Sequence, residues 1–282
     1  MRKLRFACRA ILALLCAAPA IAQSKPGVSF DQTMVSITVA RGRTDTTTTL
    51  LHTTSAGGDG RIEVEKGKFP NMGPFPSGPH AVIIMRDGGN QFLFLNPDEK
   101  QYLSLKPLEM IEGMQKMLDG MGGSMSFDTA GTRLSLDSVG PGPSIDGHPT
   151  LTYRLRMAMK MTMSMMGQSN VVDTQSSDEI QAAPDLGDYA GVASMNRFAE
   201  ITQAMGFPKG YYENLAATRR KIRGFPLRAV THTTSTANGV TRTRDQTIET
   251  RNVKRLAVSD SLFVVPADYK PVKMPMPGMP TH

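Results

Sequence analysis

The chain has 282 residues, a formal net charge of +7 and a hydrophobic fraction of 40%, which is ample for a folded core. Four of the cations and both cysteines fall in residues 1–22, and without that segment the charge drops from +7 to +3 and no thiol remains. A small positive excess argues against nucleic acid as a partner. The absence of cysteine after residue 22 excludes disulfides and Cys-ligated metal sites from that part of the chain.

The first 22 residues predict a secretory signal peptide. The segment MRKLRFACRAILALLCAAPAIA has a basic start, an apolar run and a small-x-small ending at Ala20-Ile21-Ala22. The apolar run is shorter than the ~20 residues that span a bilayer. We expect cleavage after Ala22 and a periplasmic or secreted product. The residues before Cys16 do not fit a lipid-attachment site, so no lipid is expected there.

The next part of the chain predicts antiparallel strands. Runs rich in Val, Ile and Thr occupy 28–40, 45–55 and 61–67. Farther on, the turns Asp87-Gly88-Gly89-Asn90 and Pro97-Asp98-Glu99-Lys100 separate three short apolar runs. This alternation of turn residues and strand residues predicts a β-meander.

Residues 107–121 change to helical periodicity. Met110, Met114, Met117 and Met121 recur at steps of three and four residues together with Leu108, Ile111 and Leu118. Pro107 suits the first turn of a helix, and Gly122-Gly123 ends it. We therefore expect an amphipathic helix with a face rich in methionine.

The sequence LRMAMKMTMSMM at residues 155–166 has a different period. Met157, Met159, Met161, Met163 and Met165 stand at every second position, with smaller or polar residues between them. A period of two predicts a half-buried strand over 151–166.

The remaining chain predicts more helix and then strands. Residues 188–222 carry helical patterns, and Asn238-Gly239 between two strand patterns is typical of a hairpin. The Pro- and Met-rich residues 271–282 predict a disordered tail. Residues 23–270 are expected to form a single domain with helical insertions near 107–121 and 188–222.

Three stretches then resemble a known family: FLFLNPDEKQYLSL, KIRGFPLRAVTHTT and VSDSLFVVPADYKPV. Their order resembles exported bacterial proteins with a lipoprotein-carrier-like half-barrel, including a Met-rich family of unknown function, over Arg61 to Pro271. The resemblance implies an α+β, mainly β fold. Its strongly curved antiparallel sheet would have a concave face covered by helices and open to acyl chains. The chain lacks the aromatic residue expected near EIQAAPDLGDY, and no family site residue is carried over.

Catalytic chemistry finds little support in the sequence. The five histidines are scattered, no zinc-type pair occurs, and no serine sits in a G-x-S-x-G motif. His52 and His232 lie in Thr-rich strands, where a solvated or hydrogen-bonded histidine is expected. We expect no enzyme activity, no cofactor and no metal site.

Basic residues cluster at 219–223 and 242–255. They suit either an anionic partner, such as phospholipid headgroups or another envelope component, or a solvated face. The interleaved Asp245 and Glu249 favour the solvated face.

The methionines leave three interpretations open: ordinary core, an adaptable apolar ligand cavity, or thioether binding of Cu(I). We expect a non-enzymatic periplasmic or secreted protein that binds a lipid, an acyl chain or another apolar ligand. The alternatives are a copper-handling envelope protein, using this strand or Met274, Met276, Met279 and His282, and an envelope interaction protein without a small ligand. The oligomeric state is not predicted. The predicted ligand-binding residues, with the helix facing the strand, are Met110, Met114, Met117, Met121, Met157, Met159, Met161 and Met163.

Overall fold

The computed structural model describes most of the chain after residue 23. The described residues are 24–68, 78–109, 122–128, 131–165, 168–187 and 211–272, with Gly113, Lys116 and Gly120 in addition. The predicted signal peptide, the end of the predicted tail at 273–282 and most of the second helical region, 188–210, lie outside them.

The described strands form one large sheet that is mostly antiparallel. The strands are β1 (Ser24–Ala40), β2 (Arg43–Ala56), β3 (Asp59–Lys66), β4 (Val82–Arg86), β5 (Gln91–Asn96), β6 (Gln101–Leu105), β7 (Ser124–Phe127), β8 (Arg133–Pro141), β9 (Leu151–Met165), β10 (Gln168–Ala183), β11 (Phe225–Ala237), β12 (Val240–Ser259) and β13 (Lys270–Pro271). Their order is β13-β6-β5-β4-β3-β2-β1-β12-β11-β10-β9-β7, and β8 also pairs with β9. The pairing of β13 with β6 is parallel.

Helical structure is sparse in the described part of the chain. Helix α1 covers Tyr211–Arg219, and 3-10 turns occur at Pro184–Leu186 and Asp260–Phe263. Residues 107–109 are helical, as are Gly113, Lys116 and Gly120, in agreement with the helix predicted over 107–121. Among the described residues, no helix combines the length and the apolar character needed to cross a membrane.

Turn chemistry explains the local hairpins. Asn238 and Gly239 both have positive φ, 49° and 74°, as a type I′ turn requires, and they join β11 to β12 as predicted. Arg41 and Gly42, at 52° and 72°, do the same between β1 and β2. The predicted meander is confirmed as β4, β5 and β6.

The prediction of a strongly curved sheet is wrong. The sheet is not strongly curled, so the strongly curved half-barrel is replaced by an extended sheet. Strong curvature comes from repeated bulges and glycine kinks along the strands. The long strand pairs here have at most one register shift each: β1–β12 and β10–β11 have one, while β1–β2, β9–β10 and β11–β12 have none.

The sheet has two faces with different cores. We call the face that carries Met34 and Tyr153 the front face; Tyr153, Ile180, Ala229, Ile248 and Met34 are successive cross-strand partners on it. The opposite, back face carries the cluster of Ile84, Leu95, Val258 and Phe263, all at most 1% exposed. The meander is therefore buried on both faces, which explains its nearly continuous apolar sequence.

Candidate functional site

Four of the predicted ligand-binding residues lie in a row on β9. Met157, Met159, Met161 and Met163 are all half-buried, which confirms the half-buried strand face. The row continues from Leu155, which is 0% exposed. Since side chains alternate along a strand, these four share the front face with Leu155 and Tyr153.

Neighbouring strands extend the row on one side. Phe127 of β7 is the cross-strand partner of Met161, and Leu134 of β8 is the partner of Met157. Both side chains are half-buried. We call the set Phe127, Leu134, Met157, Met159, Met161 and Met163 the methionine strip.

On its other side the strip meets a mixture of polar and apolar residues. Thr174 and Ser176 of β10 are the partners of Met159 and Met157, whereas Val172 is the partner of Met161. The methionine strip is therefore an apolar band near one end of the sheet that hydroxyl groups border beside Met157 and Met159.

The helical half of the predicted site is not described. Met110, Met114, Met117 and Met121 lie outside the described residues, so the predicted contact with β9 stays a prediction. The segment that joins β6 to β7 includes the predicted helix. It leaves β6 near one end of the sheet and enters β7 at the other end, beside the methionine strip.

A cavity of about 590 Å³ lies elsewhere, at the far ends of β1, β2 and β12. Its lining includes Pro26, Val28, Ala56, Phe225, Arg255 and Ala257. Phe225 stands twelve residues from Ala237, which shares a row with Met161, so Phe225 and Met161 are roughly 40 Å apart along the strands. The four methionines of β9 are absent from this lining, and the sequence prediction missed the cavity. The unusual Gly224-Phe225-Pro226 sequence could have indicated the cavity, because Phe225 is one of its lining residues.

The two cations beside this cavity have partners. Lys25 Nζ lies 3.0 Å from Asp260 Oδ1, and Arg255 Nε donates to the Leu186 carbonyl oxygen at 3.2 Å. A second cavity, of about 270 Å³, is lined by Gln181, Leu227 and Thr250 among others, again away from the methionine strip.

A buried carboxyl group lies at the inner end of the methionine strip. Asp178 is 7% exposed and is the cross-strand partner of both Leu155 and Thr231. Burial raises the pKa of Asp178, opposed by a hydrogen bond with Thr231 and by the charge of Arg219. Its Oδ1 has no hydrogen-bond partner among the described residues. The front face thus changes from core to strip at a carboxyl group whose pKa is raised by burial.

Three histidines each form a hydrogen bond with an aspartate. His52 Nδ1 lies 2.7 Å from Asp31 Oδ1 and His148 Nδ1 lies 2.7 Å from Asp185 Oδ2. His232 pairs in the same way with Asp245. The expectation of hydrogen-bonded histidines in the Thr-rich strands is confirmed for His52 and His232.

The His52 pair belongs to a larger network on the back face. Ser29 Oγ lies 3.0 Å from His52 Nε2, and Asn252 Nδ2 donates to Asp31 Oδ2 at 2.7 Å. Glu65 lies close enough that one ligand atom each from Asp31, His52 and Glu65 fall within 4.8 Å of one another. Sequence analysis missed this network. The two-residue turn at Arg41-Gly42 could have predicted it, because that turn fixes the register of β1 on β2 and makes Asp31 and His52 cross-strand partners.

The basic cluster on β12 is interleaved with acids, as the solvated-face interpretation expects. Glu249 lies 3.8 Å from Arg228 Nε and 3.5 Å from Arg251 Nη2, and Arg244 Nε donates to Ser36 Oγ at 2.9 Å. Part of the positive charge is therefore engaged within the sheet.

No family model matches the chain, and no curated protein is similar to it. Among solved structures the chain is similar to PNGF-II, with 14% identity and a TM-score of 0.27 over 87% of this chain and 31% of that chain. It thus spans less than a third of the length of PNGF-II. It is also similar to a domain from Vibrio parahaemolyticus described as an outer membrane lipoprotein-sorting protein domain. There the identity is 9% and the TM-score 0.27, over 83% of this chain and 88% of that domain. The expectation of a lipoprotein-carrier-like family is thus supported by a distant structural similarity and by no family model. At these TM-scores neither likeness carries an argument about function.

Proposed function

We propose that the chain is an exported binding protein that accommodates, without chemical conversion, a lipid, an acyl chain or another apolar ligand on the methionine strip. The observation that carries the proposal is the half-buried state of this strip, which continues a fully buried core on the front face.

Covering the strip is energetically favourable. Burying a large apolar side chain completely stabilises a protein or a complex by about 1.5–3 kcal/mol relative to leaving it in water. The strip offers four methionines, a phenylalanine and a leucine that are only half-buried. Methionine is unbranched and polarisable, so such a surface adapts to ligands of varied shape.

The C-terminal end of the predicted helix is within reach of the strip. Gly120, which is helical, precedes Ser124 by four residues, and Ser124 pairs with Ser164 beside Met163. Four residues span at most about 14 Å, so the end of the helix lies near the strip. We propose that the C-terminal part of this helix, with Met117 and Met121, lies over the strip, with the ligand between the two.

Binding of a fluorescent fatty acid tests this arrangement. Met159→Lys with Met161→Lys introduces two charges into the strip and is expected to weaken probe binding at least tenfold. The matched control is Val171→Lys, because Val171 is 40% exposed and lies on the opposite face of the adjacent strand β10. Equal affinity of both variants for the probe would reject the strip as the binding surface.

A second candidate is Cu(I) bound by thioethers of the same strip. Successive methionines on one strand face have Cα atoms about 6.5–7 Å apart, within reach of two flexible side chains around one soft ion. The double variant Met159→Leu with Met161→Leu distinguishes Cu(I) binding from lipid binding, because leucine keeps the apolar surface and removes the sulfur. Loss of Cu(I) uptake in competition with a chelator, with fatty-acid binding unchanged, would favour copper.

Native mass spectrometry of the protein from its own envelope compares all three functions. A lipid-sized adduct supports the proposal, and a copper-sized adduct supports the second candidate. Absence of any adduct, together with capture of an envelope protein, would favour an interaction protein without a small ligand.

A further inference from the structure

The back face carries a serine, a histidine and an aspartate in the order that nucleophilic catalysis needs. Ser29 and Asp31 stand two residues apart on β1, and so they project from the same face. His52 is the direct cross-strand partner of Asp31 on β2. The three side chains therefore meet as a consequence of strand register alone.

The hydrogen bonds define the state of the imidazole. The Asp31 carboxylate can only accept, so His52 Nδ1 carries a proton and donates it across the 2.7 Å contact. In the neutral ring His52 Nε2 is then an acceptor, and the Ser29 hydroxyl donates to it at 3.0 Å. This is the tautomer in which a histidine can take a proton from a serine.

Asp31 is held in its charged form and in one orientation. Burial raises the pKa of Asp31, but the hydrogen bonds from Asn252 and His52 and the charges of His52 and Lys254 outweigh burial and leave the pKa below its ordinary value. Asn252 reaches Asp31 because it occupies a bulge of β12 with a φ of 56°, a left-handed conformation that asparagine tolerates.

The network is reachable from solvent and lies beside a cation. The side chains of His52 and Asp31 are 37% and 40% exposed, and Ser29 is half-buried. Lys254 is the direct cross-strand partner of Ser29, so its ammonium group shares the face with the hydroxyl. A negative charge that develops on an oxygen of a carbon atom attacked by Ser29 Oγ would be stabilised there.

The same cation disfavours a metal ion. Asp31, His52 and Glu65 could supply three ligand atoms. However, the charge of Lys254 already acts on Asp31, and both nitrogens of His52 are engaged by hydrogen bonds. A cation would have to break these bonds and approach an ammonium group, whereas an anionic intermediate would not.

We propose that Ser29 is a nucleophile that accepts the acyl group of small esters, with His52 as the general base and Asp31 as its positioning residue. Ser29 Oγ forms a bond to the carbonyl carbon of the ester, and its proton passes to His52 Nε2. The tetrahedral intermediate collapses, the bond to the alcohol oxygen breaks, and that oxygen takes the proton from His52. Water then attacks the acyl-serine by the same route and releases the acid, so atoms and charge balance without any further reactant. The inference goes beyond the proposed binding function, which uses the front face, and it replaces the expectation of no enzyme activity.

A fluorophosphonate probe tests the nucleophile directly. Peptide mass mapping of the wild-type protein is expected to place the adduct on Ser29, and Ser29→Ala should abolish it. His52→Gln should slow labelling about 100-fold, a typical contribution of general base catalysis. Asp31→Asn should also slow labelling, because an amide no longer holds the tautomer with the proton on His52 Nδ1, and Asp31→Glu should restore part of the rate.

The matched control is His232→Gln. His232 also bonds an aspartate, on β11 and β12, and its loss should leave labelling of Ser29 unchanged. Circular dichroism and fatty-acid binding of each variant verify that the sheet and the front face are intact.

Absence of an adduct on Ser29 in the folded wild-type protein would overturn the proposal. So would equal labelling of the wild type and His52→Gln. Zinc uptake that is lost in Glu65→Gln, without an adduct on Ser29, would instead assign the cluster to a cation.

Discussion

Gly224 packs against the backbone of Ala183: a Cβ atom at Gly224 would stand 2.5 Å from both the carbonyl carbon and the carbonyl oxygen of Ala183. Gly224 also has a φ of +98°, which residues with side chains rarely adopt. It precedes Phe225, which packs edge-on against Phe30 at 5.2 Å between ring centroids. The close approach thus anchors the start of β11 to the end of β10 and the front-face core.

The first prediction follows from this contact. Gly224→Ala should lower the free energy of unfolding by more than about 2 kcal/mol, because backbone strain and a clash with main-chain atoms add. Gly239→Ala is the control: its φ is +74°, but nothing lies within 4 Å of the added Cβ. Urea denaturation should show a clearly smaller loss for the control, and equal losses would contradict the packing argument.

The second prediction concerns Asp178 and pH. Its pKa is raised in the folded state, so its favourable contribution is fully present below the unfolded pKa of about 3.9 and is lost as pH rises through the folded pKa. Asp178→Asn removes this loss and should stabilise the protein at neutral pH. The difference in unfolding free energy between variant and wild type should grow from pH 4 to pH 7. A difference that does not change with pH would contradict the assignment.

The third prediction separates core from strip on one strand. Leu155 is 0% exposed, and Leu155→Ala should cost about 3–5 kcal/mol through the cavity it leaves. Met159 is half-buried, and Met159→Ala should cost less than about 2 kcal/mol while weakening fatty-acid binding. Urea denaturation and probe titration measure the two effects. A loss for Met159→Ala as large as that for Leu155→Ala would indicate ordinary core.

The fourth prediction concerns the end of the chain. The Val272 N–H donates to the Tyr102 carbonyl oxygen at 2.8 Å, so residues up to Val272 belong to the sheet. Deleting residues 273–282 should leave the melting temperature within about 1 °C of the full chain, since it removes none of the described contacts. Deleting residues 270–282 should lower it by several degrees, because β13 is lost. Loss of Cu(I) uptake after the shorter deletion would assign copper to the tail.

The fifth prediction concerns export. Cleavage after Ala22 gives a mature chain that begins at Gln23 and carries no lipid. Intact mass of the protein isolated from its native host checks this directly. A diacylated species that begins at Cys16 would contradict it.

Local sequence predicted the local parts of the sheet well. The meander, the Asn238-Gly239 hairpin and the strand at Leu151–Met165 each depend on residues a few positions apart, whose turn chemistry and alternation are visible in the sequence. The pairing of β1 with β12 could not be predicted in this way. Met34 and Ile248 are partners more than 200 residues apart, and only global packing brings them together.

In the candidate sites, too, local patterns could be predicted and long-range strand pairing could not. The four methionines of β9 followed from a period of two, so the sequence predicted their shared face and their half-buried state. The curvature of the sheet depends on where register shifts occur, and these leave no clear mark in the sequence. The Ser29 network needed the β1–β2 register, and the bulge that brings Asn252 to Asp31 depends on a strand at the other end of the chain.

Strand β9 is shielded from neighbouring molecules by two short strands. β7 and β8 share its outer side, and they cover it with only four and nine residues. Local opening of these short strands would expose the free hydrogen-bonding groups of a long strand with apolar methionines on one side. Intermolecular strand addition, and hence aggregation on mild heating, should therefore begin at β9. The exposed charges of Arg156 and Lys160 on its other face would oppose stacking of such assemblies.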